Sequence, residues 1–168
     1  VDPRNGRITP RLDAFAAVSN VMGNEGVISG TVRLQGRQDY SGTDIFLSEA
    51  PCSATPTGAP ATTTGPAGGF EFGPAPGQTF QCLQARQASY LIGQRSSPAG
   101  ELGVLTLPGG DVTGDNRIDI FDVSFIAARF GSTNPAADIT GDGRVDIFDL
   151  VIAAANYGRQ GPVNNWEE

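Results

Sequence analysis

Twelve of 21 residues are identical between DVTGDNRIDIFDVSFIAARFG, which starts at Asp111, and DITGDGRVDIFDLVIAAANYG, which starts 27 positions later at Asp138. A tandem repeat of this kind requires the C-terminal third to be one small unit used twice. Each copy opens with oxygen-bearing side chains at loop positions 1, 3, 5, 9 and 12. These are Asp111, Thr113, Asp115, Asp119 and Asp122 in the first copy, and Asp138, Thr140, Asp142, Asp146 and Asp149 in the second. Position 7 would supply a backbone carbonyl, so its residues, Arg117 and Arg144, are unconstrained in side chain. A twelve-residue loop with oxygens at that spacing wraps one calcium ion, and the pair predicts two Ca²⁺ per chain. Position 6 needs a sharp turn and holds Asn116 or Gly143, both tolerant of left-handed backbone. Four carboxylates in one loop repel each other without a cation, so metal is expected to decide whether this third folds. The competing reading, Asp-Gly turns on a solvated acidic surface, would suit one such loop better than two that match position for position.

The repeat departs from a full helix-loop-helix. Its twelfth residue is Asp rather than Glu, and no helix-forming sequence precedes either loop. Leu107-Pro108-Gly109-Gly110 runs straight into Asp111, and Asn134-Pro135 sits just ahead of Asp138. A calcium loop followed by a helix, given twice, resembles the duplicated module called dockerin, of type I, from about Gly110 to Tyr157. That resemblance implies two antiparallel loop-helix units, two calcium ions, and docking onto a cohesin partner in extracellular bacterial or archaeal assemblies. Thr113 and Thr140 stand where the family more often has Asn or Asp, and the connection between repeats is slightly long.

The segments after the loops carry more apolar surface than a helix pair can hide. Val123, Ile126, Ala127 and Phe130 form one stripe at helical spacing, matched by Leu150, Ala153, Ala154 and Tyr157. A second set remains: Ile120, Phe121 and Phe125, then Ile147, Phe148 and Ile152. The resemblance assigns loop positions 10 and 11, here Ile120-Phe121 and Ile147-Phe148, to partner specificity. This second set is therefore expected to bind a partner protein, unless the chain's own N-terminal domain covers it.

A chain of 168 residues suits one medium domain or two small ones. The net charge of −7 is mostly local, since eight of the eighteen acids lie in the two loops. Two bound Ca²⁺ would add four charges and bring the sum to about −3. No basic patch suggests nucleic acid, and no run of apolar residues is long enough to span a membrane. All eleven basic residues are Arg, from a GC-rich genome or from selection on ion pairing. The chain opens at Val1 without an initiator Met or signal core, as a processed secreted protein or a fragment of one would. Cys52 and Cys82 agree with an extracellular setting, where disulfides persist and calcium is millimolar. Their bridge would stabilise by roughly 3–4 kcal/mol on the chain-entropy argument; two buried thiols are the alternative.

The first two thirds read as β structure. Ile28, Gly30, Val32 and Leu34 alternate as in a half-buried strand. Ile45 with Leu47, Phe70 with Phe72, Phe80 with Cys82, Tyr90-Leu91-Ile92 and Val104 to Leu107 supply five more candidates. Frequent Gly, Pro, Asn and Asp between them point to a sandwich rather than a parallel sheet. The order GTVRL, DIFLS, GGFEF and TFQCLQARQASYLIG resembles the transthyretin or carboxypeptidase-regulatory sandwich over about Gly26 to Leu107, usually a non-catalytic spacer or adhesion module. The fold class is thus α+β, mainly β: an Ig- or transthyretin-like sandwich followed by a small all-α calcium module. The expected divisions are an arm over 1–25, the sandwich over 26–107, the calcium module over 108–159 and a tail over 160–168. The Ser/Thr-rich loop 48–66 reads as a flexible loop, of a composition that carries O-glycans in some secreted proteins. With only Pro108-Gly109-Gly110 as a hinge, the two modules are expected to pack rigidly.

Residues 1–24 fit a Thr9-Pro10-capped helix or an extended segment added to a sheet edge. Three functions compete. One is a secreted assembly protein that binds a cohesin-like partner, and another is a subunit that joins other copies of itself into a filament or surface layer through its arm. The third, a carbohydrate-active enzyme fragment, is disfavoured. The chain has no His and no activated thiol, and Asp39, Asp44, Glu49, Glu71 and Glu101 are scattered with no bracketing aromatics. No catalytic residue is assigned.

Overall fold

The computed structural model describes residues 26–167, so the helix-or-strand question for the N-terminal arm lies outside the described residues. The described residues are mainly β, with two four-stranded sheets, one two-stranded sheet and two short helices. In the first sheet β1 (Ile28–Leu34) lies between β4 (Gly69–Phe72), antiparallel, and β8 (Gly100–Leu107), parallel. The second has β2 (Asp44–Ser48) between β3 (Thr62–Thr63) and β5 (Cys82–Arg86), with β7 (Gly93–Ser96) on the far side of β5. Alternation in β1 turns Ile28, Gly30, Val32 and Leu34 inward, as the sequence pattern requires. They meet Ile45, Leu83 and Ala85 of the second sheet and Leu102, Leu105 and Leu107 of β8 in one core.

Some expected strands sit elsewhere. Phe80 precedes β5 and packs edge-on against Phe72, with ring centroids 5.7 Å apart. Only Tyr90 of its apolar run is in a strand, the two-residue β6 (Ser89–Tyr90), while Leu91 and Ile92 are buried in the link to β7. The Ser/Thr-rich loop is more fastened than its composition implied. Cys52 is bridged to Cys82, Gln84 Nε2 donates to the Ser53 carbonyl at 2.7 Å, and Thr62–Thr63 pair with β2.

The hinge is itself a strand. β9 (Gly109–Asp111) pairs with β6 and delivers Asp111, the first residue of loop 1, directly from a sheet. Helices α1 (Ile120–Ala127) and α2 (Ile147–Ala155) follow the two loops. Helix α2 crosses so close to β9 that a Cβ on Gly110 would sit 3.0 Å from the Ala153 Cα, and Gly110 has φ +129°. Only glycine serves there. After α2 the chain returns to the sandwich: β10 (Trp166–Glu167) pairs with β8, and Trp166 donates its indole N–H to Gln94 in the other sheet at 3.0 Å. Ile126, Ala137, Ile139, Val145 and Ala153 of the loop-helix units belong to the same continuous core as the sandwich residues.

Candidate calcium loops and docking face

The two loop-helix units are joined by a pseudo-twofold exchange of hydrogen bonds. Ile118, position 8 of loop 1, donates to the Arg159 carbonyl (3.0 Å) and accepts from Gly158 N (2.8 Å), beyond α2. Val145, position 8 of loop 2, donates to Ser132 (2.8 Å) and accepts from Gly131 (2.7 Å), beyond α1. Each loop is closed by the segment that follows the other helix.

Inside the loops the carboxylates organise the backbone. Asp111 accepts from the N–H groups of Gly114 (2.9 Å), Asp115 (3.1 Å) and Asn116 (2.9 Å). Asp138 does likewise with Gly141 (2.8 Å) and Gly143 (2.9 Å). Position 6 is left-handed in both, with φ +64° at Asn116 and +91° at Gly143. At position 12, Asp122 accepts from Thr113 N (3.0 Å) and Asp119 N (2.8 Å); Asp149 accepts from Thr140 N (3.0 Å) and Asp146 N (2.8 Å). Asp119 and Asp146 are the N-caps of α1 and α2, so each loop ends in a reciprocal capping box with Asp at the third helical position.

This donor set fits a hard divalent cation. Asp122 and Asp149 are fully buried and Asp111 and Asp138 nearly so. Burial pushes the Asp111 carboxyl up to about 6, against the lowering effect of the Asn116 and Gly114 N–H groups; nearby Asp122 and Asp115 add to the rise. Buried carboxylates clustered in this way are costly unless positive charge joins them. Asp115, Asp119, Asp142 and Asp146 each accept a loop-backbone N–H at Oδ1. Among the described residues no three acidic side chains already form a closed metal cluster, so the loops are curled but their carboxylates are turned to backbone N–H groups.

The exposed apolar face differs in part from expectation. Ile120, Phe121, Ile147 and Phe148 are 55, 71, 54 and 63 % exposed, and loop positions 10 and 11 do face solvent in both units. Phe125 and Ile152 do not belong with them. Phe125 is half-buried with the Arg129 guanidinium 3.4 Å from its ring centroid, and Ile152 is half-buried against Gly36 and Gly109. Conversely Phe130 and Tyr157, expected in buried stripes, are about as exposed as Ile120. Helix α1 ends at Ala127 and α2 at Ala155, so both aromatics lie past the helix ends, where helical spacing no longer sets direction. Val151 is a further exposed residue that the periodicity did not single out.

Sequence reasoning also missed the polar residues that seat this module on the sandwich. Asn116 Oδ1 accepts from Ile92 N at 2.9 Å. Asn156, fully enclosed after α2, donates to the Gly109 carbonyl at 2.7 Å and to Gln35. Ser89 Oγ donates to the Ala136 carbonyl at 2.9 Å. No local pattern announces these contacts, because every partner is distant in sequence.

Residues 109–154 match the family model of the Dockerin type I domain, so the duplicated unit is a dockerin-type module, a protein-protein assembly domain of a calcium-binding family. In fold the chain is similar to one from a crystal structure of an N-terminal interface mutant of a type II cohesin-X-dockerin complex of Acetivibrio cellulolyticus. The TM-score is 0.64 at 19 % identity, covering 80 % of this chain and 96 % of that one. A chain from the C-terminal interface mutant of such a complex, from the same organism, gives 0.62 at 20 % identity with the same coverage. Coverage of this extent reaches well beyond the dockerin match, so the likeness includes the sandwich as well. No curated protein matches the chain.

Proposed function

We propose that this chain is a non-catalytic, extracellular, calcium-stabilised assembly protein that docks onto a cohesin-like partner through Ile120, Phe121, Ile147 and Phe148. The observation that carries the reading is the exposure of the same apolar pair at positions 10 and 11 of both loops. Such residues are normally covered when they recur together at the start of two packed helices. In this reading Asp111, Thr113, Asp115, Asp119 and Asp122, with the Arg117 carbonyl, hold one Ca²⁺. Asp138, Thr140, Asp142, Asp146 and Asp149, with the Arg144 carbonyl, hold the other. Each ion would offset most of the negative charge of the loop that aims its apolar pair outward. Residues 26–107 form the sandwich and 108–159 the docking module, and in the 160–168 tail Trp166 and Glu167 return to the sandwich. The Cys52–Cys82 bridge supports an oxidising, extracellular location, where the exposed Ser and Thr residues of 48–66 are open to O-glycans.

The test is binding of the calcium-loaded chain to immobilised cohesin domains, with self-association followed by size-exclusion chromatography. Because the two units are related by a pseudo-twofold, Phe121→Asp or Phe148→Asp alone should weaken binding only a few-fold, whereas the double variant should abolish it. A double variant that binds normally would remove this face from the interface. Concentration-dependent self-association lost in the same variant would make a second copy of the chain the partner.

A further inference from the structure

One guanidinium of the sandwich is built against the second calcium loop. Arg37, in the turn after β1, donates from Nε to the Ile139 carbonyl at 2.9 Å and from Nη2 to the Asp138 carbonyl at 3.4 Å. Tyr90, buried in β6, brings its hydroxyl to 2.8 Å from the same Ile139 carbonyl, and its ring centroid lies 5.7 Å from the Arg37 guanidinium carbon. Gly141 passes so near that a Cβ there would meet Arg37 Nε at 3.3 Å. Positions 1, 2 and 4 of loop 2 therefore all rest on one side chain. The equivalent glycine of loop 1, Gly114, has nothing within 4 Å of such a Cβ; loop 1 meets the sandwich through the β9–β6 pairing at position 1 and through Asn116 at position 6, with no sandwich guanidinium against it among the described residues.

We infer that Arg37 is a positioning residue for the second calcium site, a role that makes the two sites unequal. The inference rests on the calcium reading proposed above. The planar fork of Arg37 fixes the backbone that carries Asp138, so loop 2 is held curled before an ion arrives and loses less freedom when it binds. The fork contacts carbonyls that are not ligands, so it acts on geometry and not by coordination. Its positive charge, taken alone, would oppose the ion, which lets the two effects be separated by substitution. By linkage, calcium in loop 2 strengthens the Arg37 clasp by the same factor that the clasp strengthens calcium binding.

The experiment is calorimetric titration of Ca²⁺ into the chelator-stripped full chain. Wild type should show two unequal sites. Arg37→Gln and Arg37→Lys should each weaken one site by about tenfold, the usual effect of losing an outer-shell support. The effect should persist with Asp115→Ala, which disables loop 1, and vanish with Asp142→Ala, which disables loop 2. Tyr90→Phe, which removes only the hydroxyl, should weaken the same site and gives a second route if an Arg37 variant folds poorly. Arg37→Gln with both sites unchanged, both weakened equally, or one tightened would overturn the inference. So would Arg37→Lys behaving as wild type, because charge rather than the fork would then be responsible. A wild-type chain that takes up no calcium would overturn the calcium reading itself, whereas two ions bound with Arg37 indifferent overturns only the positioning role.

Discussion

At Thr43 the sandwich encloses a hydroxyl that meets no acceptor or donor among the described residues, although the residue's own N–H donates to Thr64 Oγ1 at 3.0 Å. An unsatisfied buried hydroxyl costs about 1–3 kcal/mol, and valine has nearly the same shape without it. Thr43→Val is therefore expected to stabilise by about 1 kcal/mol, seen as a higher denaturant midpoint with an unchanged slope; a lower midpoint would mean the hydroxyl has a partner. Asn116 shows the opposite case, one residue with two duties. It adopts the left-handed turn of loop position 6, and its amide oxygen satisfies the N–H of buried Ile92. Asn116→Gly keeps the turn but should lower stability by about 1–2 kcal/mol by orphaning that N–H, measured by thermal unfolding. Gly143→Asn, at the equivalent position of loop 2, meets no neighbour but must hold φ +91°, and should cost about 1 kcal/mol from the backbone alone. The turn was legible in the sequence because the ligand spacing is a local pattern. The second duty was not, because Ile92 lies 24 positions away.

Helices α1 and α2 run for 8 and 9 residues, too short to include the i+7 members of the expected stripes. The inward positions are Asp122 with Ile126 and Asp149 with Ala153, so a carboxylate takes the first core-facing place in each helix. A purely apolar stripe could not place it there. The i+7 members of the expected stripes, Phe130 and Tyr157, lie beyond the helix ends and are exposed. Among the strands, β1 was legible from its alternation and β8 in part from its apolar run. The two-residue β3, β6 and β10 are defined by partners rather than by their own pattern. The approach of α2 to β9 gives a test at this scale. Gly110→Ala places a Cβ against the Ala153 backbone at a positive φ, and should cost about 1–3 kcal/mol from the backbone alone. Unfolding at the wild-type midpoint would show that α2 can retreat from β9 without cost.

Across the whole molecule the chain goes from sandwich to calcium module and back, and its two ends of contact are β9 and β10. The short Pro108-Gly109-Gly110 hinge led to the expectation of two rigidly packed modules; around it the structure shows sheet pairing, a shared core and buried polar contacts. What composition could not show is that Trp166 and Glu167 belong to the sandwich, because in sequence they are separated from β8 by both loop-helix units. Metal loading should consequently be felt throughout. At calcium a hundredfold above the dissociation constant, each ion would add ~2.7 kcal/mol to the stability of the loaded chain. The most direct test is to count ions by calorimetric titration of the chelator-stripped chain. Two Ca²⁺ should bind per chain, falling to one in Asp122→Ala and one in Asp149→Ala, while Thr113→Ala and Thr140→Ala retain both with a smaller loss of affinity. A wild-type chain that takes up none, or position-12 variants that still bind two, would contradict the assignment of the paired loops as calcium sites.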